Sequence, residues 1–314
     1  MRYLLLMIAA GLLASCTSRE IRRGINYWEY ADWPRDGAEF NEALYAYTKD
    51  WFPDYDLPVF ELKLYRDPED VPGVQFADRV RSGGAIAELV SGRLHIPVWT
   101  AHRFAFGDHS RSPWRLLRHE IAHLHLHEAT AITLPVDLAV RIGTDRLPTA
   151  PWWLQEGWAT MIENAAMSDG SVRAMKVNYE RQRHLYHLMR HQQLPDPFMV
   201  IRRPFMLLGN AADYAVAYAL FRDVARDDGK GVPGGGRASV RRYMEMAQRG
   251  FFAEDADLHH ELRALLLDND QRLREDWIKQ WQSHISSAGS RAFKEAWVGE
   301  SSDDEWISNW KKRQ

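Results

Sequence analysis

Residues 119–123 read His119-Glu120-Ile121-Ala122-His123, and no other stretch of the chain restricts the fold so tightly. On an α-helix, histidines four residues apart present two imidazoles on one face about a turn apart, where both reach one metal ion. Glu120 then lies beside the open coordination position. The flanking sequence agrees: Ser112 suits an N-cap and Pro113 the first helical position, so a helix is expected from Pro113 to about Ala129. Chance alone produces such a run in roughly three of a hundred chains of this composition, and two imidazoles do not finish a site, so a third ligand is needed.

After His123, the stretch Trp152-Trp153-Leu154-Gln155-Glu156-Gly157-Trp158-Ala159 offers a carboxylate. Together the two stretches resemble those of the gluzincin zinc metallopeptidases, whose second helix begins Trp-Leu-x-Glu-Gly-x-Ala, and are most similar to the peptidase MA-like group of bacterial gluzincins. Position by position, the resemblance implies His119 and His123 as zinc ligands, Glu156 as the third ligand, Glu120 as the general base, and one Zn2+ per chain. Glu163 lies on the same helical face as Glu156 and matches a glutamate that often follows in the family, which implies support of an imidazole N–H. The hairpin ahead of the first helix resembles the gluzincin edge strand, which takes extended substrate by strand addition. Downstream, Tyr214-Ala215-Val216-Ala217-Tyr218-Ala219-Leu220 resembles the family's Tyr-x-x-Ser-Trp-x-Leu helix, and Leu265 to Trp281 its closing helical stretch. Met161 stands where a tyrosine is common, and Ala217 and Tyr218 replace a small polar residue and a tryptophan.

The implied chemistry is amide hydrolysis. Two imidazoles and a carboxylate leave zinc a fourth position for water, whose pKa falls towards about 7. Glu120 takes the proton and later passes it to the leaving amine. A neutral donor near the carbonyl oxygen is worth about 2 to 4 kcal/mol in such reactions. Tyr214 is the first candidate, Tyr218 the second and His184 the third, each weighed against simple packing on an amphipathic helix. His125 and His127 extend the histidine run; a second metal site is one reading, and packing beside the first is the commoner outcome. His184, His187 and His191 recur along one helical face, expected to be solvated or at the cleft edge. Trp152, Trp153 and Trp158 are expected to pack the site rather than stack on substrate.

The N-terminus carries Arg2, an apolar stretch from Tyr3 to Leu13, and then Ala14-Ser15-Cys16. It reads as a secretory signal, too short to span about 30 Å of hydrocarbon. Leu-Ala-Ser-Cys resembles a bacterial lipobox, which implies removal of residues 1–15 and lipidation of Cys16, the only cysteine present. The chain offers it no second cysteine to pair with. Thr17 stands where an aspartate would retain a lipoprotein in the inner membrane, so an outer-membrane anchor facing the periplasm is implied. The alternative is a plain signal peptide with a chance cysteine. Arg19, Arg22 and Arg23 beside the anchor would favour anionic headgroups weakly.

With 40 basic and 43 acidic residues and a formal charge of −3, the chain lacks the basic footprint of a nucleic-acid binder. The expected class is α+β: a signal segment over 1–15, a tether over 16–26, a small α/β unit over 27–110 with an antiparallel hairpin edge strand, a mainly helical zincin-type region over 111–290, and a tail over 291–314. In the first unit a helix is expected from Asp36 to Trp51 and a strand from Val59 to Tyr65. A hairpin of Ile86–Val90 and Arg93–Trp99 is expected around a two-residue Ser91-Gly92 turn. Further helices are expected over 152–167, 172–192, 210–227, 238–248 and 255–285, with a glycine-rich loop over 229–236. The insert between His123 and Glu156, with Pro135, Pro148 and Pro151, is expected to shape or cover a cleft.

Three functions compete. The first is an envelope zinc peptidase or amide hydrolase acting on a peptide or protein and membrane-bound through Cys16. The second is a non-catalytic envelope lipoprotein on the same scaffold, which would have no physical need for Glu120. The third, a carrier of free metal, would place its ligands at an exposed, labile site rather than on two helices packed with aromatics.

Overall fold

Phe40, Ala43, Leu44 and Thr48 recur at helical spacing and are buried, and they mark the inner face of the first helix, α1 (Trp33–Lys49). It starts ahead of the expected Asp36. The structure is a computed structural model and describes residues 33–72, 77–81, 84–98, 113–133, 135–142, 146–147, 150–163, 165–173, 178–201 and 211–225, with scattered residues over 236–245 and 279–283. The signal segment, Cys16, the tether, Arg19, Arg22, Arg23, Ser112, most of the glycine-rich loop, nearly all of the expected helix over 255–285 and the tail lie outside the described residues. Helices and a small mixed sheet make the fold α+β. Among the described residues, no helix is long and apolar enough to cross a membrane.

Two compact units are present, one from within 1–150, 162–175 and 244–254, the other from within 151–161, 176–243 and 255–314. In the first unit, β1 (Glu61–Tyr65), β2 (Ile86–Glu88) and β3 (Arg93–Pro97) form a sheet of order β1-β3-β2. β1 runs parallel to β3, with Leu62 opposite Leu94 and Leu64 opposite Ile96. β2 runs antiparallel, with Ile86 opposite His95. Alternation therefore puts Leu64, Leu94 and Ile96, all buried, on one face and Glu61, Lys63, Arg93 and His95 on the other. On the polar face Tyr65, Val71 and Val80 close a small cluster against Ile86.

The hairpin exists, but its reversal takes four residues, Leu89 to Gly92, not the two expected. The Gly92 N–H bonds back to the Glu88 carbonyl at 2.9 Å, ending the ladder at the Glu88–Arg93 pair. Gly92 has φ +65, and a Cβ there would meet the Val59 carbonyl at 2.6 Å, so only glycine fits the turn.

Helix α3 (Pro113–Thr130) follows α2 (Ala77–Arg81) and occupies the expected span. It packs on α1 and along β2 and β3. The insert after it is partly regular: β4 (Ile132–Thr133) pairs antiparallel with β5 (Arg146–Leu147), and α4 (Val136–Ile142) lies between them.

Helix α5 (Trp152–Ile162) is capped by the Pro151 carbonyl, which accepts from the N–H groups of Leu154 and Gln155. It is buried along its whole length, its polar residues Gln155, Glu156 and Thr160 included. The helix expected to reach residue 167 stops at Ile162, and the next does not begin at 172. Instead β6 (Ala166–Ser168) and β7 (Ser171–Arg173) form a hairpin. Asp169 and Gly170 connect them at φ 52 and φ 69, the two positive φ values a tight hairpin turn requires. An Asp-Gly pair signals such a turn, and the helical reading of this stretch overrode it. The hairpin packs on α1.

In the second unit, α6 (Tyr179–Arg190) starts at an Asn178 cap whose side chain accepts from the Arg181 N–H. It is followed by α7 (Pro197–Ile201) and α8 (Ala211–Val224), and α8 packs on both.

Candidate metal centre

Along α3, His119, His123 and His127 fall on one line of the helix, four residues apart, and all three are buried. The ring nitrogens His119 Nε2 and His123 Nε2 lie 3.1 Å apart, with the rings crossed at 76°. One ligand atom each from His119, His123 and Glu156 lie within 4.8 Å of one another, and all three residues are buried. Among the described residues this is the one group of His, Cys, Asp and Glu that can hold a metal ion. Glu120, also buried, follows His119 directly.

The other nitrogen of His119 is engaged as well. His119 Nδ1 lies 3.0 Å from Glu163 Oε2, and a carboxylate can only accept, so Nδ1 carries the proton and Nε2 keeps its lone pair. Glu163 Oε1 accepts from Arg115 Nη2 at 3.1 Å. Arg118 Nη1 donates to the Ala165 carbonyl at 3.0 Å, its guanidinium 5.1 Å from the Phe40 ring centre and 5.0 Å from that of Trp114. Burial and the neighbouring Arg115 charge both lower the Arg118 pKa.

The donor set passes a metal test on its own geometry. Two nitrogens each about 2.0–2.1 Å from a tetrahedral ion would stand about 3.3 Å apart, close to the spacing here. Glu120 and Glu156, buried beside the two imidazoles, are groups whose burial a nearby cation would offset.

His125 has a different fate from its neighbours. Two residues from His123, it lies on the opposite side of the helix. Its Nε2 donates to Asn41 Oδ1 at 2.9 Å and its Nδ1 accepts from the Tyr55 hydroxyl at 2.9 Å. Asn41 in turn donates to the Pro58 carbonyl. Burial pushes the His125 pKa down to about 3, partly offset by the Asn41 bond. Both its nitrogens are spent on tying α3 to Asn41 of α1 and to Tyr55, so His125 is no second metal ligand.

Tyr214, Tyr218 and His184 are all described. Tyr218 is buried and its oxygen accepts the Asn178 N–H at 3.0 Å, which ties α8 to the start of α6. Tyr214 is half-buried, its ring 5.3 Å from that of Trp152 and 5.8 Å from the Arg181 guanidinium. Of the histidine stripe of α6, expected to be solvated or at the cleft edge, His184 is 3% and His187 4% exposed, so neither is solvated, while His191 beyond the helix end is exposed. Trp152, Trp153 and Trp158 are buried, Trp158 edge-on to Phe221. Sequence reasoning passed over Arg115 and Arg118. The available signal was two cations in the opening turns of a helix, where the macrodipole disfavours them. Compared with protein-family models, with curated proteins and with solved structures, the chain matches none.

Proposed function

We propose that the chain is a zinc-dependent peptidase or amide hydrolase with a zincin-type fold, of the gluzincin kind its motifs resemble, tethered to the bacterial envelope by lipid on Cys16. The observation that carries this reading is the convergence of the His119, His123 and Glu156 ligand atoms, with Glu120 next to the first of them. His119, His123 and Glu156 would hold the ion. When bound, zinc supplies a Lewis acid that acidifies water and polarises a carbonyl. Glu120 is the base: its carboxylate takes a proton from water and hands it to the departing amine nitrogen. Glu163 keeps the proton on His119 Nδ1. Burial of the four groups excludes bulk water and strengthens each charge interaction. Tyr214 remains the first candidate donor to the developing oxyanion and Tyr218 the second, although Tyr218 is also anchored by accepting the Asn178 N–H.

Elemental analysis of the purified chain tests the reading. About one zinc per chain, lost or weakened in Glu156→Ala and kept in Glu120→Gln, is the expected result, with peptide hydrolysis abolished in the Gln variant. Absence of zinc from wild type after reconstitution would turn the assignment to a non-catalytic lipoprotein.

A further inference from the structure

We infer that Arg115 is a positioning residue of this centre, acting through Glu163 to aim His119. The inference rests on the metal-centre reading above and adds a residue that the motif resemblance does not include.

Arg115 precedes His119 by four residues on α3, so the two side chains share a face one turn apart. Glu163 bridges them with one oxygen each, Oε1 to Arg115 Nη2 at 3.1 Å and Oε2 to His119 Nδ1 at 3.0 Å. All three side chains are shielded, at 13% exposed for Arg115 and 9% for the other two. The first turn of α3 holds no acidic residue, and a cation there opposes the helix dipole. Arg115 therefore gains its place from Glu163 rather than from helix stability. Glu163 stands just past the end of α5, beside a turn closed by the Ala165 N–H on the Ile162 carbonyl. Two guanidiniums fix this turn and the Glu163 side chain. Arg118 pins the backbone at the Ala165 carbonyl, and Arg115 pins the carboxylate. A guanidinium cannot lose its proton, so Oε1 stays engaged and Oε2 stays turned to Nδ1. The His119 proton is thereby held on Nδ1, and the Nε2 lone pair is presented to the ion.

The test measures zinc affinity of the purified full-length chain by competition with a chromophoric chelator. Wild type, Arg115→Met, Arg115→Lys, Glu163→Gln and the double variant Arg115→Met/Glu163→Gln are compared. Arg115→Met is expected to weaken zinc binding about tenfold or more, the usual effect of losing an outer support of a ligand. Lys, which restores the charge, recovers part of that loss and serves as the readout should the Met variant not fold. The double variant binds no more weakly than Glu163→Gln alone, because both changes cut one chain of contacts. Wild-type affinity in Arg115→Met, a Lys variant as weak as Met, or losses that multiply in the double variant would each overturn the inference. Failure of wild type to bind zinc would remove the centre itself, and is distinguished by that first measurement.

Discussion

Glu88 and His95 meet across the β2–β3 pair, His95 Nε2 lying 3.1 Å from Glu88 Oε1 while His95 Nδ1 lies 2.7 Å from the Tyr65 hydroxyl. Burial pushes the Glu88 carboxyl up, but the hydrogen bonds from His95 and Ser91 and the charges of His95 and Arg93 outweigh it and hold the carboxyl below its ordinary value. The fold thus favours the carboxylate. Its contribution is complete above the ordinary carboxylate pKa and is lost as pH falls through the lowered folded value. Glu88→Gln should therefore cost about 1 kcal/mol in urea unfolding at neutral pH, with the gap to wild type closing in acid. A gap unchanged down to about pH 3 would count against the ion-paired carboxylate. None of these partnerships was legible beforehand. His119 and His123 could be read as a pair because four residues of helix fix their distance. By contrast, Tyr55 and Asn41 reach His125 from 70 and 84 positions away, a separation on which no local periodicity bears.

Gly157 shows the same limit for whole elements. It sits inside α5, where glycine costs about 1 kcal/mol relative to alanine. A Cβ there would stand 2.4 Å from Phe221 Cβ and 2.6 Å from the Ala217 carbonyl, both on α8. The two helices meet at this glycine, and the alanine at 217 belongs to the same close approach. Gly157→Ala should accordingly destabilise by about 1–3 kcal/mol despite its better helix propensity. An unchanged or raised urea midpoint would show that the helices can part without cost. Helix α3 was legible nearly to its ends, because Pro113 opens it and apolar spacing carries it. The β6–β7 hairpin was missed because its strands are three residues each, too short to impose a period, and only the Asp169-Gly170 turn marked it. The parallel pairing of β1 with β3 left no trace in sequence, since parallel partners share no turn.

For the whole molecule, metal and stability are linked. An ion that binds the folded chain alone, at a free concentration a hundredfold above its dissociation constant, stabilises by about 2.7 kcal/mol. Zinc addition should therefore raise the unfolding midpoint by roughly 5–10 °C in calorimetry, and chelation should reverse the shift. Glu156→Ala should lose most of the rise. A wild-type midpoint indifferent to zinc would argue against the centre.

The sequence by itself determined the helix that carries His119, Glu120 and His123, because that rests on spacing within a few turns of one element; the α+β class followed from the patterns of several stretches, and Glu156 as third ligand from the resemblance of two motifs on different helices. Only the tertiary structure decided that Glu163 turns one oxygen to His119 and the other to Arg115, that His125 belongs to a buried network with Tyr55 and Asn41, and that His184 and His187 of α6 are buried rather than in water. These are contacts between segments far apart in the chain. Their energies come from burial and from hydrogen-bond partners that folding brings together, which a local pattern does not encode.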